Sequence, residues 1–360
     1  MQFLDFDLKL SRRNGPKWVG LGSLSLIYKS LVWVRKGLYK IGIKKRYKAK
    51  TGVISIGNIT VGGTGKTPMI SWMIQFCQRE KIKAAVLTRG YKAQRKEHVE
   101  ILNRETSKTK GQDVFGDEPW LLYQNHQEVS FYVSPDRIAA AKLAVDTSEL
   151  LLLDDGMQHL KLVRDLEIVL LDSTAGIGNG RLLPLGPLRE PLNSLKRADV
   201  VIFTKTNLNS SKDLRDKLSQ YILPHIKQYD STYLPTTLFS SKDGQSHRVE
   251  NLNGKKCLLF SGIGNPMAFV NVVEKSGGNV VNHLVMEDHH LYTKESIEKI
   301  RLFASRNSHD YLLCTEKDWV KLESFAMDLP HFYCVKMKME IEKDFEAWLK
   351  GQIKEIVNKH

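Results

Sequence analysis

Hydrophobic positions along this chain follow two alternating patterns. Short apolar runs rich in β-branched residues are each followed by stretches with apolar positions three and four apart, the signature of strands alternating with helices. The runs predict strands at Val53–Ile56, Ala84–Thr88, Val129–Val133, Leu150–Asp154, Leu166–Asp172 and Val200–Thr204. A helix follows near Leu214–Leu223, and Ser231–Ser241 reads as extended. A second series begins at Cys257–Phe260 and continues with Val280–Val285, Tyr311–Thr315 and Phe332–Met337. The last stretch, Lys343–Val357, is helical in pattern, with Phe345, Trp348, Leu349, Ile353 and Ile356 on one side. Continuously apolar strands belong to sheets covered on both faces, so the expected class is layered α/β with mainly parallel strands.

The first fifty residues carry a different pattern. Leu24, Ile27, Leu31, Val34, Leu38 and Ile41 share one helical face, and Lys29, Lys36 and Lys40 fall on the other. Trp18, Tyr28, Trp33 and Tyr39 are rings suited to a lipid headgroup layer. Lys29 and several Gly and Ser residues interrupt the run, which is too dilute for a spanning helix of about 20 apolar residues. Two readings remain: an interfacial helix with a basic flank drawn to anionic lipid, or an amphipathic helix packed on the body.

Charge sharpens this picture. The formal net charge is +14 over 360 residues, yet Leu8 to Arg79 holds fifteen Lys or Arg and no Asp or Glu. The basicity therefore belongs to the N-terminal segment, and without a groove-reading motif or stacking platforms it does not indicate nucleic acid. The length suits about two domains. Their expected bounds are 1–50 for the basic amphipathic segment, 51–230 for a nucleotide-binding unit, 231–253 for an extended linker and 254–360 for a second α/β unit. Four dispersed cysteines, Cys77, Cys257, Cys314 and Cys334, lack metal-ligand spacing and read as buried thiols in a reducing compartment. No obligate protein partner is indicated. Lys92 to Gln112 is polar and reads as a mobile surface loop.

The strongest chemical signal runs from Val53 to Pro68, a buried strand entering Gly62-Gly63-Thr64-Gly65-Lys66-Thr67 and then a helix. The glycines let backbone N–H groups turn onto oxyanions at a helix start. Lys66 reaches β- and γ-phosphates, and the Thr67 hydroxyl suits magnesium, so ATP and Mg2+ are the expected cofactors. Thr60 stands where the usual pattern has its first glycine, so the loop must begin differently, around Gly57 and Asn58. Asp154 and Asp155 emerge from a four-leucine strand at the end where open α/β sheets bind ligands. Asp117 and Glu118 sit at a helix start; they suit a cap or dipole partner, and Asp117 equally suits a base toward an attacking hydroxyl. Asp288-His289-His290 fits a capping turn, and Arg189 lies in a rigid Pro-flanked loop able to meet phosphate oxygens.

In order, Asn58 to Pro68, Thr88-Arg89-Gly90-Tyr91, Gly116-Asp117-Glu118-Pro119, Leu153-Asp154-Asp155-Gly156-Met157-Gln158-His159, Pro187-Leu188-Arg189-Glu190-Pro191, Asp288-His289-His290 and Thr315-Glu316-Lys317-Asp318 resemble the tetraacyldisaccharide 4'-kinases. The resemblance spans nearly the whole chain. It implies a P-loop kinase-like α/β/α domain, a smaller α/β/α domain on an extended linker, and an N-terminal amphipathic helix. It also implies transfer of the ATP γ-phosphate to the 4'-hydroxyl of a tetraacyldisaccharide 1-phosphate. The enzyme would sit peripherally on the cytoplasmic face of a bacterial inner membrane, with an acylated lipid as partner. By motif, Asp117 would be the base, assisted by a histidine of the Asp-His-His turn, His289 in preference to His290 with nothing in the sequence to separate them, and Lys66 would act on the phosphates. Thr67, Asp154, Asp155 and Glu118 would surround the metal, and Asn58, Arg89, His159, Arg189, Glu190 and His290 would line the substrate side. The alternatives are a membrane-cycling P-loop ATPase, which usually has Lys where Val61 stands, and a GTPase. For the latter, Phe203-Thr204-Lys205-Thr206-Asn207 lacks the Asp that pairs with guanine.

Overall fold

The computed structural model describes residues 16–91, 93–288, 290–322 and 329–360, with side chains in the first helix from residue 21. His289 and the Trp18 side chain lie outside this description.

Helix α1 (Pro16–Lys40) precedes the first sheet, built from β1 (Gly52–Asn58), β2 (Ala84–Thr88), β3 (Glu100–Leu102), β4 (Ser130–Val133), β5 (Leu150–Asp154), β6 (Leu166–Asp172), β7 (Val200–Thr204) and the start of β8 (Lys227–Ser240). Its order is β8-β7-β6-β1-β5-β2-β4-β3, parallel except for β3. The second sheet continues through β8 with β13 (Phe332–Ile341), β12 (Tyr311–Thr315), β10 (Lys256–Ser261) and β11 (Asn279–Val285), while β9 (Ser246–Arg248) pairs with β8. The helices that matter below are α2 (Lys66–Arg79), α3 (Asp117–Asn125), α4 (Arg137–Ala144), α5 (Lys212–Leu218), α6 (Pro266–Lys275), α7 (Lys294–Ser305), α8 (Glu316–Leu322) and α9 (Lys343–Lys359).

The strands predicted from apolar runs form at nearly the expected bounds. Three differences have physical causes. Residues 231–240, expected as linker, are extended but hydrogen-bonded. β8 pairs parallel with β7 through Asp230 and then antiparallel with β13 from Ser231, so one strand belongs to both sheets. Part of the expected surface loop is strand β3, because Glu100 is buried there and accepts from Lys96 and Glu97 N–H and from Lys110. The C-terminal helix, assigned by chain order to the second unit, packs into the first. Phe345, Leu349, Ile353 and Ile356 join Ile54, Met69, Met73 and Leu150 in one core. A separate core of Leu258, Phe260, Ile300, Trp319 and Phe332 fills the second half.

Helix α1 is docked by its polar side. Ser25 Oγ donates to Leu182 O at 3.0 Å, Tyr28 OH to Arg189 O at 2.9 Å and Arg35 to Gln158 O at 2.7 Å, and Lys36 pairs with Glu190 at 2.5 Å. The opposite face leaves Leu24, Ile27, Leu31 and Val34 exposed, with Trp33 at 76% exposure. The packed-helix reading required the apolar face to be inward, and it is outward. Among the described residues no helix is long and apolar enough to cross a membrane. All four cysteines are free and buried.

Candidate active site

β1 is the central strand of the first sheet, between β5 and β6, and Ile56 lies in register with Asp154. The loop after β1 and the acid pair after β5 therefore emerge side by side. Gly57 is required by this proximity, since a Cβ there would lie 2.6 Å from that of Met157. Gly62 and Gly65 adopt φ of 102° and 91°, the left-handed turns that expose successive N–H groups.

The absent first glycine is replaced by strapping. Thr60 bridges Leu188, Val61 N–H donates to Pro187 O at 2.9 Å, and Arg189 N–H donates to Ile59 O at 2.7 Å. The buried Asn58 amide donates to Thr64 Oγ1 at 2.8 Å. Its own carbonyl oxygen Oδ1 accepts from Arg189 at 3.2 Å. Asn58 thus shapes the loop from behind.

The two aspartates have opposite surroundings. Asp155, at φ 50°, accepts a bidentate fork from Arg189 at 2.8 and 2.9 Å and lies 3.6 Å from Lys66 Nζ. Burial works to raise its pKa, but the Arg189 hydrogen bonds and the charges of Lys66, Arg189 and Arg137 outweigh it and hold it at about 2. Asp154 accepts from Thr88 Oγ1 at 2.8 Å. Burial, with the carboxylates of Glu118 and Asp155, pushes it up to about 6. At Asp154 burial and neighbouring carboxylates therefore outweigh the Lys66 charge and the Thr88 hydrogen bond, the setting a hard divalent cation relieves. Among the described residues no three His, Cys, Asp or Glu converge on one ion position. Mg2+ asks for less, usually one or two carboxylates with phosphate and water oxygens, so Asp154 with Thr67 fits it.

Across the cleft, α8 of the second half meets α3 of the first. Lys321 Nζ lies 2.9 Å from Asp117 Oδ2, and Lys317 pairs with Glu118. Burial opposes the Lys317 charge, but Glu118, Asp288 and Asp154 outweigh it and raise its pKa. Asp117 Oδ1 also accepts from Gln112 at 2.9 Å. Asp318 is internal: it accepts from Gly262 N–H, Tyr292 OH and Thr315 Oγ1, fixing α8 to the turn after Asp288.

These groups surround one cavity of about 640 Å3. It is lined by Gly62 to Thr67, Arg89, Asp117, Glu118, Asp154, Asp155, Arg189, Lys205, Asp288 and Lys317 among others. Among the described residues, four expected site residues are outside that lining. Asn58 lies behind the loop as described. Glu190 is buried between Lys36 and Arg197, anchoring α1. The His290 ring bonds Ser296 Oγ at 2.9 Å. His159 packs beside Arg137 and Arg164, where burial and those charges lower its pKa to about 4. Sequence reasoning missed Lys205, Lys321 and Arg137. Lys205 was weighed only within a guanine-reading motif, Lys321 lies three residues past the Thr315–Asp318 segment, and Arg137 follows the N-cap Asp136 of α4 with no pattern that marks it.

A phosphate loop facing strand-end carboxylates, on a mainly parallel sheet, defines a P-loop kinase-like α/β protein. Residues 18–354 match the family described as tetraacyldisaccharide-1-P 4'-kinase. The tetraacyldisaccharide 4'-kinase of Bdellovibrio bacteriovorus is 35% identical over 340 residues, 94% of this chain and 97% of that protein. The Pseudomonas entomophila tetraacyldisaccharide 4'-kinase is 35% identical over 356 residues, 98% of this chain and 97% of that one. Among solved structures, LpxK from Aquifex aeolicus in complex with ATP is similar with a TM-score of 0.75 at 28% identity, covering 94% of this chain and 99% of that chain. The chain belongs to the tetraacyldisaccharide 4'-kinase family, and it is a kinase.

Proposed function

We infer that this enzyme transfers the γ-phosphoryl group of ATP to the 4'-hydroxyl of a tetraacyldisaccharide 1-phosphate in lipid A biosynthesis. The observation that carries this reading is the convergence of Lys66, Asp154, Asp117 and Glu118 on one cavity in a chain of this family. Loop N–H groups and Lys66 hold the β- and γ-phosphates. Asp117 accepts the proton of the attacking hydroxyl, whose oxygen bonds the γ-phosphorus as the bridging oxygen leaves on ADP. Lys321 holds Asp117 in place by its ion pair at 2.9 Å. The assistance of Asp117 is assigned to His289, the residue after Asp288 in sequence. Thr67 and Asp154 are the residues that would hold magnesium, whose positive charge would offset the negative charge of the triphosphate. Asp155 is better suited to fixing Lys66 and Arg189 than to ligating metal, since both its oxygens are engaged.

The outward apolar face of α1 supports peripheral attachment to a lipid surface, which an acylated anionic substrate requires. We assign that surface to the cytoplasmic face of the inner membrane, where ATP is available. The chain divides into units near the proposed bounds of 51–230 and 254–360, with α9 returning to the first. A membrane-cycling ATPase or GTPase is not favoured; Lys205, which guanine reading would need, is bonded to Asp172 and Gly63.

The test is incubation of purified enzyme with labelled ATP and a tetraacyldisaccharide 1-phosphate in mixed micelles. A labelled bisphosphorylated lipid is expected, absent with Asp117→Ala. ATP hydrolysis without lipid labelling would sink the assignment.

A further inference from the structure

The end of β7 lies directly behind the phosphate loop. Lys205, the residue after that strand, has φ 60°, a left-handed conformation that bulky side chains adopt only when their surroundings hold them there. It is 7% exposed. Its ammonium donates to Gly63 O at 2.9 Å and to the buried Asp172 carboxylate. The neighbouring Thr204 Oγ1 donates to Thr64 O at 3.1 Å. Asp172 is itself fixed, accepting from Thr174 N–H and Oγ1 at 2.8 and 2.6 Å.

A trans peptide is planar, so its C=O and the next N–H point in opposite directions. Fixing the Gly63 carbonyl therefore sets the plane whose Thr64 N–H donates to Gly62 O at 3.1 Å and closes the turn of the loop, and fixing the Thr64 carbonyl aims the Gly65 N–H away from β7. Glycine-rich backbone does not hold such an orientation unaided, because its peptide planes rotate freely.

We propose that Lys205, with Thr204, is a positioning residue for ATP: it locks two successive peptide planes of the phosphate loop, one closing the turn on Gly62 O and the other aiming the Gly65 N–H at the triphosphate before it arrives. This inference rests on the phosphate-loop reading above. Lys205 touches no reacting atom in this scheme, and its partner Asp172 serves to hold the ammonium in place.

The alternative role for Lys205 is to neutralise buried Asp172, and the two separate experimentally. Lys205→Met alone leaves Asp172 unpaired and is at risk of misfolding. The double variant Lys205→Met/Asp172→Asn removes both charges, and Thr204→Val keeps both. Binding of ATP with Mg2+ is measured by calorimetry, alongside the melting temperature and the KM for acylated acceptor. The double variant is expected to melt near wild type and bind ATP about tenfold more weakly, the loss of one charge-assisted hydrogen bond, with acceptor KM unchanged. Thr204→Val weakens ATP in the same direction by about threefold, and Lys205→Arg restores most of the affinity. Wild-type ATP affinity in the folded double variant and in Thr204→Val would overturn the inference while leaving the phosphate loop intact. A wild-type chain that takes up no ATP would instead overturn the phosphate-loop reading beneath it.

Discussion

Lys321 of the second half and Asp117 of the first meet at 2.9 Å across the cleft, with the lysine side chain almost wholly buried. The same ammonium lies 3.3 Å from His290 O, so it joins the head of α3 to the turn after Asp288. Breaking such a pair strands the surviving charge in a poorly solvated place. Lys321→Met should therefore cost about 2 kcal/mol of stability in urea unfolding. It should also depress kcat more than ATP affinity. Unchanged kcat in the folded variant would remove Lys321 from the account of how Asp117 is held.

Asp154 gives the protein a pH signature. Its folded pKa of about 6 exceeds the ordinary carboxylate value of 3.8, so its contribution favours folding fully below the unfolded value. That contribution fades as pH rises through about 6. Asp154→Asn should then stabilise the metal-free protein at pH 8 by up to about 3 kcal/mol. The gain should vanish below about pH 4, and the variant should be inactive. Melting curves of both proteins from pH 4 to 8 would show whether the difference opens across that window.

Lys66 is the cation nearest Asp155 other than Arg189, and no loop N–H can supply its full charge. Lys66→Ala should lower phosphate transfer by about a hundredfold or more. Far-ultraviolet circular dichroism should be unchanged. Activity within a few-fold of wild type would place the triphosphate elsewhere.

The exposed row on α1 should matter only in the presence of lipid. Trp33→Ala should reduce co-sedimentation with anionic vesicles several-fold, with the melting temperature and ATP binding unchanged. Removing residues 1–50 should weaken vesicle binding more than nucleotide binding. Equal losses of both would make the helix a packing element.

The strands and the phosphate loop were legible because they are local. Four leucines before Asp154 state a buried strand, and glycines before Lys66 state a turn that grips anions. What chain order concealed was long-range. The apolar face of α9 was visible, but not that it would close over Ile54 and Met69 rather than its sequence neighbours. The amphipathy of α1 was equally plain. Its polar side is the docked one because Glu190, read as a substrate residue, is the buried counterpart of Lys36. Lys205 was weighed only as a base-reading residue, since its contact with Gly63 spans 142 positions.

Strand β8 has one further implication. Because the polypeptide passes between the halves as a rung of both ladders, and its tail comes home in α9, neither lobe is a severable module. Any opening or shutting of the cleft must travel as torsion along a hydrogen-bonded ribbon rather than as the swing of a loose tether. Genetic dissection at residue 240 should accordingly yield two insoluble fragments.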